Sequence, residues 1–140
     1  MHRLIARLVP LIAVSLIVSG CGNNSDDAVV APPPPPTLID TFTGTLSLNG
    51  GTTFSFNVTG TGDMRAQLTT LDPDHTKPVG LSLGTWNGSI CQIILTGDNS
   101  VQGSVVDGRA SAPGSFCVRI YDAAGTVVDP QTYVIDVFHP

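Results

Sequence analysis

Glutamate is absent from this chain: all eleven of its acidic residues are aspartate. Aspartate favours turns and loops, whereas glutamate is the helix former of the pair. No helical periodicity runs through the chain after residue 40, and 15 glycines and 11 prolines punctuate it. These features argue against a helical domain and for an all-β one. Basic residues are scarce too, with six lysines and arginines in 140 residues. Nucleic-acid binding needs clustered Lys and Arg to displace counterions, so that class of function is excluded. The same deficit argues against electrostatic docking onto anionic lipid headgroups. A comfortable membrane-spanning helix is not expected either. The first apolar run, Leu8 to Val18, has eleven residues, against the ~20 needed to cross the hydrocarbon core.

What is present begins at that run. Arg3 and Arg7 precede it, the arrangement of a removable signal peptide over residues 1–20. At its end Val18-Ser19-Gly20-Cys21 resembles the lipobox of bacterial lipoproteins. The resemblance implies that Cys21 is lipidated, carries diacylglycerol and palmitate, and becomes the new N-terminus. Several acyl chains on one terminus hold firmly, because each buried methylene contributes ~0.8 kcal/mol. Gly22 follows where an aspartate would favour inner-membrane retention, so the pattern leans towards the outer membrane. The plainer alternative is an ordinary secretory signal. Removing residues 1–20 leaves 120 residues, with four basic residues against eleven acidic ones and a net charge of −7.

Residues 21–36 read as a lipidated N-terminus and a Pro-rich linker. Gly22 to Ala31 is small and polar, and Pro32 to Pro36 is an unbroken run of five prolines. Such a run forms a stiff rod advancing ~3.1 Å per residue, suited to lifting a domain off a bilayer. A docking ligand for a proline-recognising partner is the rival reading. Residues 37–140 are long enough for one core and too short for two.

Within that body, Phe42, Leu46 and Leu48 share one face of Thr41 to Leu48. Phe54, Phe56 and Val58 share one face of the segment after Asn49-Gly50-Gly51. This alternation across a turn signal predicts a hairpin with one buried face. Further strands are expected around Met64 to Leu68, Val79 to Leu83, Phe116 to Tyr121 and Tyr133 to Val137. Ile90 to Leu95 is continuously apolar, as in a strand buried on both faces. Turns are expected at Gly97 to Ser100 and Asp107-Gly108, with an edge strand over Val101 to Val106. About eight short strands separated by turn signals predict a β-sandwich.

Phe42-Thr43-Gly44-Thr45-Leu46 with Phe54-Ser55-Phe56-Asn57-Val58 resembles the opening strands of bacterial pre-peptidase C-terminal domains. Ala112 to Tyr121 and Tyr133-Val134-Ile135-Asp136-Val137 look like that family's closing strands. The resemblance implies a jelly-roll-like antiparallel β-sandwich that accompanies secreted enzymes without being one. Where that family carries an Asp-x-Asp-Leu pattern, this chain has Val79-Gly80-Leu81-Ser82-Leu83.

Four groups of residues are candidates for chemistry. Cys91 and Cys117 are the cysteines left to the body, and export places them where disulfides form, so a bond between them is expected. Gly80-Leu81-Ser82-Leu83-Gly84 matches a nucleophile elbow by letter, but no helical signal follows and Ser82 reads as a strand serine. Asp72 and Asp74 flank Pro73 and offer hard oxygen ligands for a cation such as calcium, although two carboxylates alone are a weak signal and turn chemistry is the plainer reading. Trp86 is the one tryptophan and, beside Asn87, could stack on a sugar ring or a partner; a partly buried aromatic over the sheet edge is the plainer reading.

The function these features predict is a lipid-anchored, non-enzymatic binding or structural module of the cell envelope. No cofactor is implied. The membrane is the first partner, through the lipid, facing periplasm or exterior. A protein or glycan is the second. The alternative is a carbohydrate- or peptide-binding accessory domain of an exported system, with Trp86 at its site.

Overall fold

The computed structural model describes residues 37–140. The segments expected to be a signal peptide, a lipidated Cys21 and a Pro-rich linker fall outside them. The described residues form eight strands and no helix. These are β1 (Leu38–Leu46), β2 (Gly51–Val58), β3 (Gly62–Asp72), β4 (Val79–Trp86), β5 (Cys91–Ser100), β6 (Val105–Ala110), β7 (Gly114–Tyr121) and β8 (Gln131–His139). Two four-stranded antiparallel sheets face each other, one in the order β1-β8-β3-β6 and the other β2-β7-β4-β5. The chain changes sheet at every connection except β4 to β5, the winding of a jelly roll. The all-β sandwich expected from composition is therefore what forms.

Alternation dictates the core. Phe54, Phe56 and Val58 of β2, Leu81 and Leu83 of β4, and Val118 and Ile120 of β7 point inward from one sheet. Met64, Ala66 and Leu68 of β3 meet them from the other, with Tyr133, Ile135 and Val137 of β8. The Phe42 and Phe54 rings stack across the gap at 4.8 Å between centroids. That contact corrects the expected hairpin, because β1 pairs with β8 and β2 pairs with β7. The two segments meet face to face from opposite sheets, not side by side. One buried face per segment is compatible with either geometry, so alternation could not distinguish them.

Strand β5 is the second correction. Ile90 to Leu95 is not buried on both faces: β5 is an edge strand, and Ile94 remains 65% exposed. Gly97 to Ser100 continues β5 through irregular pairing instead of turning. The turn falls at Val101 to Ser104, where the Ser104 N–H donates to the Val101 carbonyl at 2.9 Å. The edge strand consequently begins at Val105, and Asp107-Gly108 lies inside it. Gly108 looked like a turn residue, but its missing side chain makes room for Leu95. A Cβ there would lie 3.0 Å from the Leu95 Cδ1.

Candidate interaction surface

One side of the sandwich is formed by the edge strands β5 and β6. The β4–β5 register shifts after Leu83, which pairs with Leu95, while Gly84 pairs with Ile93. Ile94 is the extra residue of this bulge. A bulge re-aims side chains at a sheet edge, and here Ile94 and Leu95 both line the same crevice. Its floor is Met64, Leu83 and Phe116, and Arg109 closes one side. The crevice holds about 40 Å³, far below the ~300–1,000 Å³ of a small-molecule site. It can take the tip of an aliphatic side chain, not a metabolite.

Around it, Ile90, Ile93, Ile94, Leu95 and Val105 each expose between a third and two thirds of their surface. Ile94 and Leu95 border the crevice, Val105 lies beside Asp107 on the outer face of β6, and Ile93 stands opposite Gly84 on the outer face of the other sheet. Immediately beyond Leu95 lies a shallow depression floored by Asp63, Arg65, Asp107 and Arg109. These four belong to the outer face of β3 and β6. Asp63 stands directly opposite Arg109, and Arg65 opposite Asp107. Both pairs are bonded, at 2.8 and 2.7 Å.

The sequence candidates lie elsewhere or have structural roles. Cys91 and Cys117 are joined, and the bond passes over β4 to connect its two neighbours, β5 and β7. This crossing is allowed because Gly84 has no side chain. Gly80, the other glycine of the apparent elbow, lies under the Tyr121 ring. Ser82 sits mid-strand between them, fully buried, and its Oγ has no hydrogen-bond partner. Among the described residues, neither His75 nor His139 hydrogen-bonds to it. The lettering that resembled an elbow is thus explained by backbone and ring packing at two glycines.

Trp86 is half-buried at the end of β4, opposite Cys91. The Asn87 Oδ1 accepts from the backbone N–H groups of Ser89 and Ile90, at 3.0 and 2.8 Å, and so shapes the β4–β5 turn. Asp72 is the last residue of β3. The Asp74 Oδ1 accepts from the Thr76 hydroxyl and backbone N–H, and Oδ2 lies 3.6 Å from the Lys77 Nζ. The Thr76 hydroxyl, followed by its backbone N–H, holds the Asp74 carboxyl below its ordinary value. Among the described residues, no group of three or more His, Cys, Asp or Glu is placed to hold a metal ion.

Several residues have partners that the sequence did not reveal, although Asp122 to Gly125 reads as a turn. Asp122 accepts from the backbone N–H groups of Asn49, Thr126 and Val127, tying the β1–β2 turn to the loop before β8. Desolvation pushes its carboxyl up, but these donors and Gly125 outweigh that and hold it below the ordinary value. The Tyr121 hydroxyl donates to Asp98, and the Arg119 guanidinium lies 5.0 Å from the Tyr121 ring. Desolvation, then the Asp98 carboxylate, pushes the phenol up. His139 is buried against Phe56, with Nε2 3.0 Å from Asp40 Oδ2. Only the fold brings these partners together, from as many as 99 positions apart. Compared with known proteins, the chain matches no family model and no curated protein.

Proposed function

We propose that this chain is a lipid-anchored, non-enzymatic module of the cell envelope that acts through contacts made by the β5 side of its sandwich. The observation that carries this reading is the apolar edge where Ile94 and Leu95, with Val105 beside them on β6, each remain more than a third exposed. Edge strands are normally protected by charge or by burial, and an apolar edge left open is the usual mark of a contact surface. Val18-Ser19-Gly20-Cys21 supplies the anchor, with Gly22 favouring the outer membrane. Residues 22–36 supply the spacer. The resemblance to pre-peptidase C-terminal domains fits an accessory role beside exported proteins. A glycan site at Trp86 has less support, because the Asn87 Oδ1 already serves the turn.

Two experiments test this reading. Metabolic labelling with a fatty-acid probe should mark the wild-type protein and leave Cys21→Ala unmarked. A photo-crosslinking residue at position 94 should capture a protein neighbour in intact cells, whereas one at the exposed Val128 should not. Labelling that survives Cys21→Ala removes the anchor; equal capture from both positions removes the surface.

A further inference from the structure

The four charges beside the apolar patch form a checkerboard. Along β3 the order is Asp63 then Arg65, and opposite them on β6 stand Arg109 and Asp107. Each acid therefore has a base across from it and a base along its own strand. All four side chains are more than half exposed. A checkerboard of this kind is complementary to a copy of itself. When two such faces meet about a two-fold axis parallel to the strands, Asp63 meets the other copy's Arg109 and Arg65 meets its Asp107. When the axis runs perpendicular to the strands, Asp63 meets Arg65 and Arg109 meets Asp107. Both arrangements bring opposite charges together, as an isologous interface requires, and the perpendicular axis also sets the β5 side of one copy against that of the other.

The rest of the surface would resist that encounter. Residues 37–140 carry nine aspartates against four basic residues. Two acidic bodies repel each other wherever that surplus is exposed. The β3–β6 face is locally neutral, and it is bordered by the apolar patch. A standard interface buries about 800 Å² on each partner, with an apolar centre and a polar rim. Here the four charges lie at the centre of the contact, and Leu95 and Val105 add apolar surface beside them. The bulge at Ile94 interrupts the β5 edge, so docking through side chains is favoured over strand addition.

We infer that the β5–β6 side is a homodimer interface, in which the Asp63–Arg65–Asp107–Arg109 checkerboard and the Ile94–Leu95 patch of one copy dock on those of a second. This rests on the reading of that side as a contact surface and names its partner.

The test uses the full chain in detergent, with mass measured by light scattering. Wild type should have the mass of two chains. An all-acidic variant (Arg65→Asp with Arg109→Asp) and an all-basic variant (Asp63→Arg with Asp107→Arg) should each self-associate roughly a hundredfold more weakly, since like charges then face each other. Mixed in equal amounts, the two should recover the two-chain mass. Ile94→Arg should also run as one chain, and unchanged near-ultraviolet circular dichroism will show that it folds. A one-chain wild type, an all-acidic variant that still dimerises, or failure of the mixture to recover the dimer overturns the inference. If wild type is a single chain yet position 94 captures a different protein in cells, the second copy is ruled out while the contact surface stands.

Discussion

Gly84 lies directly beneath the backbone of Gln92: a Cβ at position 84 would overlap the Gln92 carbonyl oxygen and fall 2.7 Å from its carbonyl carbon. The obstacle is main chain, which cannot rotate away as a side-chain tip could. This contact lets the first residues of β5 fold close over β4, so that Cys91 comes within 5.8 Å of Cys117, Cα to Cα, across the intervening strand. Gly84→Ala should therefore displace β5. The expected cost is about 2–3 kcal/mol, typical of forced overpacking, and urea unfolding reads it. A midpoint within error of wild type would show that the strand accommodates the methyl.

Removal of the disulfide should act on the same region through a different cause. Cys91 and Cys117 are 26 positions apart, and closing a loop of that size restricts the unfolded chain by about 3.5 kcal/mol on the chain-entropy estimate. The double substitution Cys91→Ala, Cys117→Ala should lower the melting temperature by roughly 10–20 °C. Amide exchange should accelerate in β5 before it does in β8. Uniform acceleration through both sheets would argue against a local tether.

Ser82→Ala should leave the protein as stable as wild type or slightly more so. The Ser82 Oγ is buried without a hydrogen-bond partner, and such a group costs about 1–3 kcal/mol of desolvation. Thermal unfolding decides the point. A loss above about 1 kcal/mol would reveal a partner for the hydroxyl, which would reopen the question of its role.

Asp122→Ala should cost about 1 kcal/mol, because three turn and loop backbone N–H groups, two exposed and one part-buried, lose their acceptor. The pH dependence has a definite sign. Asp122 and Asp74 both sit below their ordinary value of 3.8 in the folded chain. A depressed carboxyl stabilises the fold fully above the unfolded value, and that contribution is lost as pH falls through the folded one. The urea midpoint of wild type should therefore fall between pH 5 and pH 2 more steeply than that of the Asp122→Ala, Asp74→Ala double variant. Parallel curves would show that neither carboxylate is engaged in solution.

Composition and alternation were enough to establish the strand-rich class, the approximate strand number and most inward-facing residues. These depend on local rules: aspartate without glutamate disfavours helix, and a two-residue period marks one buried face. The cysteine pair was legible because residues 37–140 contain two cysteines, and an export signal was expected before them. Pairing was not legible. Phe42 and Phe54 look like hairpin partners along the chain, yet they belong to opposite sheets, because alternation specifies a face and not a neighbour. Ile90 to Leu95 looks like interior and is an edge, because hydrophobicity does not reveal which strands lie on either side. The Asp63, Arg65, Asp107 and Arg109 checkerboard, like the Asp122 and His139 contacts, joins residues dozens of positions apart. Only the jelly-roll winding, which returns distant strands to adjacent places in a sheet, could bring them together.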